Sequence, residues 1–330
     1  MRKAFETLFG KAFIGDSLEL LDSLADNSVN LVITSPPFSL QRKKEYGNPE
    51  QHEYVEWLAQ FANLVHRKLS HDGSFVLDIG GAYEKGTPVR SLYNFRIAIH
   101  LCDKVGFFLA QDFYWFNPSK LPSPIEWVNK RKLRAKDAVN NVWWFSKTPW
   151  PKANISNVLV EYSGRMKKLL EDPGRFYSPA KRPSGHDIGT AFARNNGGAI
   201  PPNLLQIPNT ESNGQYLVGC KAVGIAPHPA RFPAKLPEFF IRFLTDPGDL
   251  VVDIFGGSST TGQVAENEQR RWITCDLSPE FVTAGIFRFL SEIDEERASA
   301  FYAKIIDGGS LDLRELAACP EQKMLFGISP

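Results

Sequence analysis

The sequence predicts an α/β fold, a parallel sheet covered by helices on both faces and interrupted by one irregular insert. Three observations carry this prediction. Apolar, strand-like runs end in turn signals at "SVNLVITSPP", "GSFVLDIGG", "FFLAQDFYWFNPS", "AVNNVWWFSK", "DLVVDIFGG" and "RRWITCDLSPE". Helix-period segments lie among them, over Ser17 to Leu24, Glu50 to Leu69, Val89 to Val105, Lys235 to Leu244, Thr260 to Glu268 and Pro279 to Leu290. From Pro151 to Pro229 periodicity fades and Gly, Pro, Asn and Ser dominate, as in "RPSGHDIGT", "RNNGGAIPPN" and "NTESNGQY". Strands alternating with helices call for a parallel sheet, and such sheets hold ligands at the carboxyl ends of their strands. A structureless loop as long as the Pro151 to Pro229 stretch is unusual in a compact domain unless it has a job. The expected division is an α/β domain built from 1–117 and 228–330, with an insert over 118–227.

Composition narrows the class. Hydrophobic residues are 43% of the 330 and charged residues 23%, enough apolar material for a core and too little charge for a disordered chain. No window approaches ~18 consecutive apolar residues, so no membrane span is expected. The opening "MRKAFETLFGKAFIGD" lacks the apolar core and cleavage site of a signal peptide. Cys102, Cys220, Cys275 and Cys319 are far apart, which suits free thiols in a reducing compartment better than disulfides or a metal site. The overall net charge of +1 hides an asymmetry: Lys120 to Arg194 holds 15 Lys and Arg against 6 Asp and Glu. That segment is either a solvated face or the footprint of a polyanion such as DNA.

Each strand end carries a candidate site. In "LVITSPPFSL" two prolines, neither with an N–H to donate, must stop the strand and leave Ser35 and Phe38 flanking a rigid stub. In "LVVDIFGGSSTTG", Asp253 ends a strand. Gly256 and Gly257 permit close approach of a ligand, and Ser258, Ser259 and Thr260 are placed to cap a helix whose first N–H groups hold an anion. The following strand ends at Asp276, where an acid suits a ribose diol. The ligand is thus a nucleoside, and the pattern is not the GxGxxG of dinucleotide sites. Asp16 in "GDSLELL" is either a plain helix cap or an acceptor for an adenine amino group.

Together these stretches resemble a known family. "TSPPF" is similar to the S/D/N-P-P-Y/F motif of the DNA amino-methyltransferases, "DIFGGSSTTG" to their cofactor motif and "HPARFPAKLPEFFIRFLT" to the helical motif before it. The motif order is that of the permuted beta class. "QRKKEYGN", "FYWFNPSKLPSPIEWVNKRK", "RPSGHDIG", "NGGAIPPNLLQI" and "ESNGQY" extend the resemblance to the PvuII-type cytosine-N4 group over nearly the whole chain. Two positions depart from the cofactor motif: Ile254 replaces a proline and Ser259 a glycine. The resemblance implies a Rossmann-like, S-adenosyl-L-methionine-dependent methyltransferase fold. In it 1–117 and 228–330 form the catalytic and cofactor-binding domain, and 118–227 the target-recognition insert. It implies cofactor contacts from Asp16, Asp253, Phe255, Gly256, Gly257, Ser258, Ser259, Thr260, Asp276 and Lys235, with Phe255 near the sulfonium.

The chemistry of "SPPF" follows from the amine it must activate. The lone pair of a cytosine amino group is delocalised into the ring. Two acceptors aimed at its protons, the Ser35 hydroxyl and the Pro36 carbonyl, draw the nitrogen toward tetrahedral geometry. Pro36 and Pro37 hold both acceptors still. Phe38 offers a face for the extruded base, since such enzymes flip their target out of the duplex. A serine where adenine enzymes commonly carry aspartate favours cytosine N4, with adenine N6 as the alternative. A catalytically idle DNA-binding module is the reading from a different class. Cytosine C5 chemistry needs a Pro-Cys nucleophile, and none of the four cysteines follows a proline. "DIGG", Asp78 to Gly81, is expected to form a neighbouring wall of the site.

Double-stranded DNA is the expected partner. Trp115 or Phe116, unless spent on core packing, is expected over the flipped base and Asn117 at its polar edge, Lys130, Arg131, Lys132, Arg134 and Lys136 at phosphates, and Arg182, His186, Asp187, Asn195 and Asn196 at base edges. The resemblance further implies a bacterial, cytoplasmic enzyme with a cognate restriction endonuclease as genetic rather than physical partner. It implies a short palindrome as target, CAGCTG in the PvuII-type group, and a monomer suffices because one strand is modified per visit.

Overall fold

The computed structural model describes residues 1–38, 53–173, 194–210, 214–290 and 294–314. Ten strands form one sheet: β1 (Arg2–Glu6), β2 (Gly10–Ile14), β3 (Val29–Thr34), β4 (Leu69–Ile79), β5 (Phe108–Phe116), β6 (Val139–Ser146), β7 (Leu204–Gln206), β8 (Leu250–Asp253), β9 (Arg271–Asp276) and β10 (Leu311–Asp312), in the order β10-β1-β2-β9-β8-β3-β4-β6-β5-β7. The helices are α1 (Ser17–Ser23), α2 (Tyr54–Lys68), α3 (Tyr93–His100), α4 (Gly164–Glu171), α5 (Gln215–Ala222), α6 (Lys235–Leu244), α7 (Thr260–Asn267), α8 (Pro279–Gly285) and α9 (Glu295–Ile306).

The expected all-parallel sheet is corrected to a mixed one. The five central strands, β2, β9, β8, β3 and β4, run parallel. β1 is antiparallel to β2, because the short turn between them leaves no room for a crossover. β6 is antiparallel to both β4 and β5, since the chain returns from β5 without a covering helix.

Each element has a visible cause. In β3 the run Val29, Leu31, Val32 and Ile33 is buried, as a central parallel strand with helices on both faces requires. In α2 the buried Tyr54, Leu58, Phe61, Ala62 and Val65 recur at helical spacing. Trp272 of β9 is fully buried and stacks on Phe289 with centroids 5.1 Å apart. A side chain at Gly10 would come within 2.2 Å of its indole, so β2 needs glycine there.

The chain forms two compact units, Asn154–Pro202 and Met1–Ala153 with Asn203–Pro330. The span 118–227 is therefore divided: β6, β7 and α5 belong to the large unit. Within the small unit Ser163 caps α4 through the Met166 N–H, and Val160 pairs with Ala199. The strands of the large unit that matter most, β3, β4, β8 and β9, bring Thr34, Asp78, Asp253 and Asp276 to one edge of the sheet.

Candidate active site

Asp253 is the hinge between the two motifs. It is buried, and its Oδ1 accepts from the Thr34 hydroxyl at 2.6 Å and the Phe255 N–H at 3.1 Å. Its Oδ2 accepts from Thr261 at 2.6 Å. Burial raises its pKa to about 6, against the pull of these donors. Asp253 thus fastens the last residue of β3 to the loop after β8, and Ser35 follows directly.

A cavity of about 710 Å³ opens along this edge, lined by Asp16, Asp253, Phe255, Gly256, Gly257, Ser258, Thr260 and Asp276 on one side and Ser35, Pro36, Pro37 and Phe38 on another. Asp276 Oδ2 accepts the Gly257 N–H at 2.9 Å and Oδ1 the Ser278 N–H at 3.0 Å, and burial raises its pKa. Each oxygen keeps a lone pair for a diol. Gly257 has φ +48°, and a side chain at Gly256 would meet Thr274 at 2.9 Å, so both glycines are required by the loop. Asp16 caps α1 through the Leu18 N–H at 2.8 Å and also lines the cavity, so the cap does not take it away from the cavity. The Phe255 ring packs on Trp57 and Phe61 with centroids 5.6 and 5.0 Å away. Carboxylates, a glycine loop and aromatic walls fit a nucleoside with a sulfonium.

Two residues expected at the cofactor lie outside the cavity lining. Ser259 does not line the cavity: it adopts a left-handed backbone, φ +59°, and its hydroxyl shares a hydrogen bond of 3.0 Å with Thr274 instead of capping α7. Its N–H is spent on the Gly256 carbonyl at 2.7 Å, so it holds no anion. Lys235 is exposed at the start of α6 and lies outside the cavity lining. Ser258 lines the cavity, yet its hydroxyl and carbonyl both accept from Arg288, at 3.0 and 2.6 Å.

A second cavity, about 540 Å³, shares Ser35, Phe38, Ala230, Arg231 and Phe232 with the first. Here Ser35 Oγ donates to Asp78 Oδ2 at 3.0 Å, and Asn140 Nδ2 donates to Asp78 Oδ1 at 3.0 Å. Burial raises the Asp78 pKa to about 6, partly offset by these bonds. The Tyr54 hydroxyl holds the Pro37 carbonyl at 2.9 Å, and the described residues send no donor to the Pro36 carbonyl. Phe38 packs where a side chain on Gly80 would come within 2.6 Å of it. Trp115 and Asn117 line this cavity. The Trp115 indole is fixed by the Ile207 carbonyl at 2.8 Å. Cys102, Cys220 and Cys275 line neither cavity.

Of the basic residues, Lys130 and Arg131 are exposed and share Glu126 at 3.4 and 2.9 Å, and Lys132 is exposed. Arg134, expected at a phosphate, instead stacks on Tyr83 at 4.4 Å and donates to the Pro88 carbonyl, bracing the cavity wall. Lys136 donates to the Pro118 and Lys120 carbonyls at 3.2 and 2.9 Å. Asn195 and Asn196 bond with Tyr162 inside the small unit. Arg182, His186 and Asp187 lie outside the described residues. The reading by motif missed Asn140, Lys120 and Arg231, and gave Asp78 no role beyond a wall. Asp78 alone left a signal, an acid at the end of an apolar strand before two glycines.

The sheet, the nucleoside-sized cavity and the proline-held hydroxyl beside it define a methyltransferase of amino groups. A model of the DNA methylase family matches residues 29–287. The chain is 66% identical over 316 residues to the type II methyltransferase M.PvuII of Proteus hauseri, covering 96% of this chain and 94% of that one. The solved PvuII DNA methyltransferase (cytosine-N4-specific) superposes with a TM-score of 0.78 at 59% identity, over 94% of this chain and 98% of the other. A Thermus thermophilus protein assigned as a DNA modification methylase, solved in complex with S-adenosyl-L-methionine, shares the fold at a TM-score of 0.51 and 19% identity, covering 91% and 96%. The chain belongs to the DNA methylase family: it is an S-adenosyl-L-methionine-dependent DNA methyltransferase with an α/β fold. Among the described residues no helix is long and apolar enough to cross a membrane.

Proposed function

We propose that the enzyme methylates the exocyclic N4 of a flipped cytosine within CAGCTG in duplex DNA, as the modification half of a restriction-modification system in a bacterial cytoplasm. The observation that carries this reading is the Ser35–Asp78 hydrogen bond at the junction of the two cavities. Because the Ser35 hydroxyl donates its hydrogen bond to Asp78, the serine lone pairs are free to accept from a substrate amine. The Pro36 carbonyl accepts the second amine proton. The nitrogen lone pair, withdrawn from the ring, is left to attack. S-adenosyl-L-methionine, held by Asp16, Asp276 and the Gly256–Gly257 loop, supplies an electrophilic methyl group. The new N–C bond would form as the methyl–sulfur bond breaks, its electron pair leaving on the sulfur as a neutral thioether; the amine then becomes acidic, and Ser35 Oγ takes its proton and passes its own to Asp78 Oδ2. A carboxyl with a pKa of about 6 is suited to that exchange near neutrality. Phe38 and Trp115 cover the base.

Lys130, Arg131 and Lys132 hold phosphates, and the span 118–227, with Arg182 and His186, supplies target recognition. A monomer acts on one strand per visit, and the cognate endonuclease is a genetic partner. Nucleoside mass spectrometry of methylated plasmid tests the reading directly. N4-methylcytosine with protection from cleavage at CAGCTG is expected; N6-methyladenine, or protection confined to other sites, overturns it.

A further inference from the structure

The second cavity contains a cation that the proposed methyl transfer does not use. Lys120 lines it beside Ser35, Asp78, Asn117 and Asn140. Its side chain is half-buried, yet among the described residues its ammonium makes no hydrogen bond and no ion pair. Burial lowers its pKa, while the charges of Asp137 and Asp78 work to keep the proton on. Neither carboxylate is bonded to it. Asp78 is spent on Ser35 and Asn140, and Asp137 on Tyr83 and on Arg90 at 3.5 Å. A desolvated ammonium without a partner is costly, so such a group is retained where a ligand completes its bonds.

The turn that carries Lys120 is fixed. Its N–H donates to the Asn117 carbonyl at 3.2 Å and its carbonyl accepts from Lys136 at 2.9 Å. Asn117 Oδ1 accepts the Ser119 and Asn209 N–H groups at 3.1 and 3.3 Å, which turns its Nδ2 donors to the opposite side of the amide. The cavity thus offers an acceptor at Ser35 and donors at Lys120 and Asn117, and the Pro36 carbonyl belongs to the adjoining first cavity. That set of groups matches the edge of one base. Cytosine presents an amine, then the N3 acceptor, then the O2 acceptor. Adenine presents an amine and a ring acceptor, then a C–H.

We propose that Lys120 is a specificity-determining residue that donates to O2 of the flipped cytosine. A cytosine completes its coordination, whereas an adenine leaves it buried against a C–H. The proposal rests on the cytosine reading above and adds the residue that enforces it.

The test is a cycle between enzyme and substrate. Wild type and Lys120→Met are assayed at pH 8 on the cognate duplex and on one whose target is a 2-aminopyridine C-nucleoside. This analogue keeps the amine and ring nitrogen and lacks the carbonyl oxygen. Loss of one charge-assisted hydrogen bond is worth roughly 10- to 100-fold in kcat/KM. Wild type is expected to lose that factor on the analogue, and Lys120→Met to lose it on cytosine. The variant should then distinguish the two duplexes by less than about threefold. Its melting temperature should equal or exceed that of wild type and its cofactor affinity should be unchanged, because Lys120 lines only the second cavity. Lys120→Gln, which keeps a neutral donor, should fall between. A variant that discriminates against the analogue as strongly as wild type, or that matches wild type on cytosine, overturns the proposal. A wild type that methylates adenine in the cognate duplex overturns the cytosine reading instead.

Discussion

The two cavities differ in how they are built. The first cavity takes most of its polar lining from short stretches at strand ends, Asp16 and Ser17 after β2, Asp253, Ser258 and Thr260 after β8, and Asp276 and Ser278 after β9, with Gln60, His228 and Arg231 beside them. The second cavity, where the base is proposed to bind, takes its polar lining from several parts of the chain: Ser35, Asp78, Asn117, Lys120, Asn140 and Asn209. A loop that wraps one ligand can be written in a dozen consecutive residues. A pocket that grips one base edge from several sides needs strand ends and turns that only the sheet order brings together. The first kind of site tolerates loss of one contact better than the second, where each group has one partner and no neighbour to replace it.

The largest effect is expected at Ser35. Ser35→Ala removes an acceptor that the transition state uses more strongly than the ground state, so kcat should fall about 10²- to 10³-fold. DNA and cofactor dissociation constants should stay within about threefold. A variant turning over at the wild-type rate in single-turnover assays would remove Ser35 from the mechanism.

Asp78 is next. Both its oxygens accept, one from Ser35 and one from Asn140, and Asn at this position can accept on one only. Asp78→Asn is expected to lower kcat roughly 10- to 100-fold, as a charged partner is lost. The sign of the pH effect follows from the raised pKa. Below about 6 the carboxyl is protonated and no longer draws the serine proton, so wild-type kcat should fall as pH drops through about 6. Asp253 has a similar pKa but no contact with Ser35, so the limb should flatten in Asp78→Asn if Asp78 causes it. An unchanged acid limb in that variant would move the titration to Asp253. For folding, a carboxyl raised from 3.8 to about 6 adds stability that is complete below about 3.8 and lost as pH rises through about 6.

Against that base cavity, Asp276→Ala sharpens the contrast from the cofactor side. It removes the acceptor for the Gly257 and Ser278 N–H groups. KM for S-adenosyl-L-methionine should rise about 10-fold, with kcat at saturation changed less than about threefold. A loss confined to kcat would mean that Asp276 serves the reaction rather than the cofactor.

The same contrast explains what the amino-acid sequence disclosed. The strand-and-helix alternation marked the central elements, since α6 runs over Lys235–Leu244 as expected and β8 and β9 end at the expected acids. The hairpin of β1 and β2 went unread because its first strand, "RKAFE", has no clean alternation and its burial depends on β9 and β10. The antiparallel course of β6 was concealed by an apolar run that suits either direction. In the site, Asp253 and Asp276 were legible from neighbouring glycines. Asn140 was not, because an Asn inside a buried strand announces nothing until Asp78 of the adjoining strand is paired with it. Lys120 was hidden by its company: one lysine among many in a basic segment looks like a phosphate contact until burial singles it out.

Lys235 gives the smallest expected effect and the sharpest check on the motif boundary. It stands in the same motif as residues that line the first cavity, Ala230 to Phe232, but the chain has turned into α6 by this point. There the buried face is taken by Leu236, Phe240 and Ile241, which leaves Lys235 on the solvent side. An exposed lysine contributes little to a ligand several residues away through screened charge alone. Lys235→Ala is therefore expected to leave the cofactor KM within about twofold and the melting temperature unchanged. A tenfold rise in KM, measured beside Asp276→Ala, would place Lys235 in a closed form of the cofactor site and would extend that site into the start of α6.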